Sequence, residues 1–187
     1  MCTIYVLHCT ENLYTLFTQN TYFYVVLYTR TQHDMEAIGQ LCHSTKLDSI
    51  DFSAGVDAIL FCGGHGTCTD FVDNSAIKNA IETLYESGKI VSAVCHGPTC
   101  LPQCNKADGS PLVKDKVVTG FKDSEEKAVQ LESLVPFMLE AKLKELGGKY
   151  ESADDWNSKV CVDGNLITGQ NPQSSEECAK AVISALS

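Results

Sequence analysis

No Cys-x-x-Cys pair occurs among the ten cysteines of this 187-residue chain, and no Cys and His spacing matches a zinc site. A bound metal is therefore not expected. No apolar run approaches the length of a transmembrane helix, and Met1 to His8 has neither the basic stretch nor the long apolar core of a secretory signal. Basic residues are few. Fourteen Lys and Arg stand against 24 Asp and Glu, a formal net charge of −10. Nucleic acid and anionic membrane would repel such a chain, so neither is expected as a partner. No run of like charge suggests a tail, and no internal repeat or linker divides the sequence. The resulting expectation is a cytoplasmic, reducing location with free thiols rather than a disulfide framework. What is present, 44% apolar and 20% charged residues, fits one globular domain over residues 1–187.

The most informative stretch is Ala93-Val94-Cys95-His96-Gly97-Pro98. It follows a strand-like run, 89–94, and precedes a segment able to start a helix. Small residues two positions away on each side of Cys95, Ala93 and Gly97, give the small-x-nucleophile-x-small pattern of a nucleophile elbow, with Cys in place of Ser. Such a turn is sharp and needs small neighbours. It lifts the sulfur to the start of the next helix, where the dipole and free N–H groups favour a thiolate. His96 can add a backbone N–H to an oxyanion hole and a side chain for proton transfer. Cys62, Cys100, Cys104 and Cys161 lack this frame and read as small buried hydrophobes.

Along the chain, strands alternate with helices. Strands are predicted at Thr3–Leu7, Tyr22–Tyr28, Val56–Cys62, Lys89–Val94 and Lys116–Phe121, and a hairpin around Asp163-Gly164-Asn165 over Lys159–Thr168. Helices are predicted at Leu13–Gln19, Asp34–Cys42, Asn74–Ser87, Ser124–Val129, Val135–Leu146 and Ser174–Leu186. The alternation implies an α/β sandwich with a mostly parallel sheet, whose ligands bind beyond the carboxyl ends of the strands. Gly63-Gly64 and Cys95 both fall at such ends.

Five stretches together resemble the DJ-1/PfpI superfamily, which shares its flavodoxin-like fold with class I glutamine amidotransferases. They are Asp57–Thr67, Ala93–Pro98, Val118–Phe121, Val135–Glu140 and Leu166–Pro172. The likeness is strongest to the Hsp31-like branch, the glutathione-independent glyoxalases, and runs from about Leu47 onward. The resemblance implies Cys95 as nucleophile, His96 beside it, and Glu126 as the acidic residue that orients the histidine. It implies an oxyanion hole from the N–H groups of Gly64 and His96, with Gly63, His65 and Gly97 near the substrate. It also implies a homodimer and no cofactor. Residues 1–43 are shorter than the family pattern and divergent. There, Glu11 in Glu11-Asn12-Leu13 is the candidate for the family's N-terminal glutamate.

The function this implies is a cofactor-independent glyoxalase acting on a small dicarbonyl. The Cys95 thiolate adds to methylglyoxal, a base (Glu11 or His96) moves the C1 proton to C2, and the thioester is hydrolysed to lactate. Two alternatives stay open from the residues. A cysteine peptidase or amidase would use the same Cys–His pair. A stress-responsive chaperone or redox sensor would use oxidation of Cys95.

Overall fold

The computed structural model describes residues 4–10, 13–15 and 47–187. Its strands are β1 (Ile4–Thr10), β2 (Leu13–Thr15), β3 (Ala58–Phe61), β4 (Ile90–Val94), β5 (Val117–Val118), β6 (Lys149–Tyr150), β7 (Val160–Asp163) and β8 (Leu166–Gly169). Six of them form one sheet in the order β2-β1-β3-β4-β8-β7. The inner pairs β1–β3, β3–β4 and β4–β8 are parallel. Antiparallel strands close both edges. This is the expected mostly parallel α/β sheet of flavodoxin-like type. Strands β3, β4 and β8 are buried along their whole length, which explains why they read as near-continuous apolar runs.

The helices are α1 (Thr67–Asp70), α2 (Ser75–Glu86), α3 (Asp123–Ala128), α4 (Leu139–Glu145) and α5 (Ser175–Ala185). Helix α2 shows how local sequence makes an element here. The Asn74 side chain accepts from the N–H groups of Ala76 and Ile77, capping the first turn. Ile77, Ala80, Ile81 and Leu84 form its buried face. Gly88, at φ 72°, then reverses the chain, and the N–H groups of Gly88 and Lys89 return to Tyr85 and Leu84. The β7–β8 hairpin turns at Gly164, whose φ of 64° suits the first position of a two-residue loop.

Four expectations need correction. Leu13–Thr15 is a strand, not the start of a helix, because these residues pair with His8–Thr10 of β1. The strand predicted over Lys116–Phe121 shrinks to Val117–Val118, in a separate parallel pair with β6. Past Val118, the Thr119 N–H goes to the Thr168 hydroxyl and the Phe121 N–H to the Cys95 carbonyl, so the backbone leaves the ladder. The helix predicted from Val135 starts at Leu139, with Met138 still extended; Pro136 disfavours helical backbone at Val135 and has no N–H to donate. After Cys95 the chain forms a 3-10 helix, Gly97–Gln103, not an α-helix. Pro98 and Pro102 remove two of its N–H donors. The elements predicted at Tyr22–Tyr28 and Asp34–Cys42 lie outside the described residues.

The turn after β4 sits tightly on the end of β3. A Cβ on Gly97 would fall 2.3 Å from the Phe61 carbonyl oxygen, which is backbone and cannot yield cheaply. Gly97→Ala is expected to lower stability by about 2 kcal/mol and the thermal midpoint by roughly 4–8 °C. An unchanged midpoint in differential scanning calorimetry would contradict this packing.

Cys100, Cys104 and Cys161 are buried, as small hydrophobes should be, and so is Cys178, whereas Cys62, just past β3, is only half-buried. Burial pushes Cys104 up to about 12, Cys161 and Cys178 up to about 11, and Cys100 well above its ordinary value. In the unfolded chain these thiols ionise near pH 9, whereas in the fold they stay protonated. Their contribution is therefore full below about pH 9 and is lost as pH rises from there toward the folded values. The thermal midpoint is expected to fall steeply between about pH 9 and 11. A flat midpoint across that range, at constant ionic strength, would refute it.

Candidate active site

Parallel strands β3 and β4 run in register, Phe61 beside Ala93, so their carboxyl ends deliver Gly63-Gly64-His65 and Cys95-His96 to one edge of the sheet. Cys95 has φ 63°, a left-handed conformation unfavourable for a residue with a Cβ. Two backbone bonds hold it there. The Cys95 N–H donates to the Gly169 carbonyl at the end of β8, and the Cys95 carbonyl accepts from the Phe121 N–H, each at 2.9 Å. A Cβ on Gly63 would lie 2.5 Å from the Cys95 Cβ, so only glycine fits. Gly64, at φ 108°, turns its N–H toward the Cys95 sulfur, and the His96 N–H does the same. The buried Thr67 hydroxyl lies 2.8 Å from the Gly64 carbonyl and 3.1 Å from that of His96, tying the two loops together.

His96 Nδ1 lies 3.5 Å from Cys95 Sγ, and His96 Nε2 lies 2.6 Å from Glu126 Oε2. Glu126 comes from α3 and is buried. Its other oxygen, Oε1, lies 2.8 Å from His65 Nε2. One carboxylate thus accepts from two imidazoles, whose rings lie 4.1 Å apart centroid to centroid and tilted by 45°. His96 also packs against Phe121, at 4.2 Å, and Phe121 in turn meets the His65 ring edge-on at 6.1 Å. The two histidines differ in access: the His96 side chain is 2% exposed and His65 is 38% exposed.

Burial sets the resting charge. It pushes the Cys95 thiol up to about 12, against the Gly64 and His96 N–H groups that pull it down. The expected resting thiolate is therefore corrected. Desolvation outweighs the two N–H groups of the turn. Burial also holds His96 below its ordinary value, against the Glu126 hydrogen bond. A neutral His96 that donates Nε2–H to Glu126 presents the Nδ1 lone pair to the thiol. The arrangement can thus create a thiolate on demand, the proton moving to an imidazole whose positive charge Glu126 offsets.

The structure brings together Cys95, His96, Glu126, Gly63, Gly64 and His65. Gly97 lies beneath them in the turn, and Glu11 lies outside the described residues. Sequence spacing shows no metal pattern, yet among the described residues His65, His96 and Glu126 have ligand atoms within 4.8 Å of one another, close enough to hold an ion. These ligands come from three separate segments, which spacing rules do not detect. Glu125 escaped the sequence reading. It is fully buried, and Oε1 accepts from the Trp156 N–H and the Asn171 amide, each at 2.7 Å, and from Gln170 at 3.2 Å. It thereby pins Trp156, at φ 65°, with its ring edge-on to Phe121. A buried glutamate beside the expected one carries no signal of its own in a single sequence.

The DJ-1/PfpI family model matches residues 39–185. Glyoxalase 3 of Candida albicans is 32% identical over 155 residues, covering 80% of this chain and 64% of that protein. The structure of the Francisella tularensis Rapid Encystment Protein 24 KDa is 38% identical with a TM-score of 0.79, covering 90% of this chain and 73% of that one. The crystal structure of glyoxalase III from Candida albicans is 30% identical with a TM-score of 0.75, covering 80% and 65%. The chain spans between 53% and 64% of the length of the first curated relatives it matches. A cysteine on a left-handed turn between parallel strand ends, with this family match over most of its length, makes the chain a member of the DJ-1/PfpI family.

Proposed function

We propose that the chain is a glutathione-independent glyoxalase that converts methylglyoxal to lactate. The observation that carries this is the Cys95–His96–Glu126 relay on the elbow, with two N–H groups aimed at the sulfur. Relatives named as glutathione-independent glyoxalases support it. Cys95 passes its proton to His96 Nδ1 as the sulfur attacks the aldehyde carbon, giving a hemithioacetal. The N–H groups of Gly64 and His96 stabilise the oxygen that gains charge. A proton then moves from C1 to C2, and water releases lactate from the thioester.

Cys95 is only 8% exposed, which favours a small aldehyde over a peptide. Its raised pKa disfavours direct oxidation by peroxide, since the thiolate is the reactive form. A small-molecule substrate is thus the partner this site suits. Among the described residues no helix is long and apolar enough to cross a membrane. The homodimer belongs to the same reading and rests on likeness to the family; the cytoplasmic location rests on the reading of the sequence.

Purified protein, without glutathione or added metal, is expected to form D-lactate from methylglyoxal. Cys95→Ala should reduce this to background, and Glu126→Gln should lower kcat by about 10²–10⁴-fold. Lactate at equal rate from Cys95→Ala would sink the proposal. His96 must be neutral to accept the thiol proton, and burial lowers its pKa. Activity should therefore persist as pH falls to about 6.5 and decline only below it. An acid limb centred above pH 7 would oppose that assignment.

A further inference from the structure

The chain has one tryptophan, Trp156, and holds it where its backbone is unfavourable, at φ 65°. The Asn157 N–H donates to the Asp154 carbonyl at 3.0 Å. Trp156 is thus the third residue of a tight turn, where a positive φ favours glycine. A residue with a Cβ persists there only if its surroundings over-determine the backbone. Here they do. The Ala153 N–H donates to Gln170 Oε1, and the Trp156 N–H to Glu125 Oε1. Asp155 Oδ1 accepts from Lys122 Nζ and Ser124 Oγ. The Asn157 carbonyl accepts from the Asn171 amide. The turn is clamped to the start of α3, the helix that carries Glu126, and to the segment after β8.

What the clamp presents is the indole. Trp156 is half-exposed, yet its ring meets Phe121 edge-on, at 5.9 Å and 63°. Phe121 is buried, and its ring lies 4.2 Å from that of His96 and 6.1 Å from that of His65. The Phe121 backbone is fixed by its bond to the Cys95 carbonyl, but its ring carries no polar group and is held by packing. His96 needs such a wall. Glu126 fixes Nε2, and a single hydrogen bond leaves a ring free to tilt about it; the Phe121 ring limits that tilt and keeps Nδ1 on Cys95 Sγ.

We propose that Trp156 is a positioning residue of the relay: its indole braces Phe121, and Phe121 holds the His96 ring between Cys95 and Glu126. This rests on the glyoxalase reading above. Acting through Phe121, the indole governs turnover more than substrate binding, because a small misplacement of a proton acceptor slows the chemical step. The strained backbone has a use on this account: it carries a large ring at a position where the turn alone would favour glycine.

The turn also supplies the test. Trp156→Ala removes the ring and keeps the strain, Trp156→Gly removes both, and Trp156→Phe keeps an aromatic edge. For each, kcat and KM for lactate formation from methylglyoxal are measured beside the thermal midpoint. Trp156→Ala and Trp156→Gly are expected to lose about tenfold or more in kcat, to the same degree, with KM changed by less than about threefold. Trp156→Gly should nevertheless melt above Trp156→Ala, and Trp156→Phe should recover most of the lost kcat. A kcat for Trp156→Gly within about twofold of wild type would overturn the inference. So would a kcat that follows the midpoints, glycine better than alanine, because the ring would then serve stability alone. An unchanged kcat with a raised KM would overturn it too, placing the indole on the substrate. All three leave the glyoxalase reading intact. Absence of lactate from folded wild-type protein would overturn that reading and this inference with it.

Discussion

The backbone at Cys95 is the constraint on which the rest of the site depends. A residue with a Cβ at φ 63° is strained by about 1–3 kcal/mol and persists only if its surroundings over-determine it. Here the surroundings come from three directions. Strand β8 accepts the Cys95 N–H, the Phe121 N–H caps its carbonyl, and Gly63 and Gly97 clear the space that any side chain would fill. The result places the sulfur, two N–H groups and the His96 ring in one fixed arrangement.

Electrostatics follow from burial more than from the turn. A solvent-free thiol beside a buried neutral imidazole rests in its uncharged form, so charge separates only when an electrophile arrives to share it. That suits a substrate that brings a carbonyl oxygen for the waiting N–H groups. The single Glu126 carboxylate serves two histidines of different access, one enclosed and one half-open, so the same negative charge steadies both ends of the relay.

Behind the relay, Glu125 does a different task from its neighbour. Three donors from two distant loops converge on one of its oxygens, and the other caps Lys122 at the start of α3. This fully satisfied buried charge fixes the helix that carries Glu126 and the Trp156 backbone that braces Phe121. Removing one partner would leave a charge stranded in the core, which is far worse than removing a surface charge. The adjacent pair thus divides between holding the scaffold and facing the imidazoles.

Much of this was legible in contiguous sequence. The elbow around Cys95, the Asn74 cap with Gly88 at the far end of α2, and the Gly164 hairpin are all written in neighbouring residues, because steric limits on backbone angles act locally. The runs of β3 and β4 were readable because strands buried on both faces need near-continuous apolar residues. Other features were decided only by the tertiary structure. Lys116–Phe121 has strand composition, but its N–H groups are claimed by Thr168 and Cys95, residues remote in sequence. The thiol's protonation was misread because desolvation depends on what packs over it, and burial exceeded the local dipoles. The sharing of Glu126 between His65 and His96, and the anchoring of the Trp156 N–H by Glu125, join groups 30 to 61 positions apart. Spacing along the chain carries no information about such meetings; they exist only where the register of parallel strands brings distant loops to one edge of the sheet.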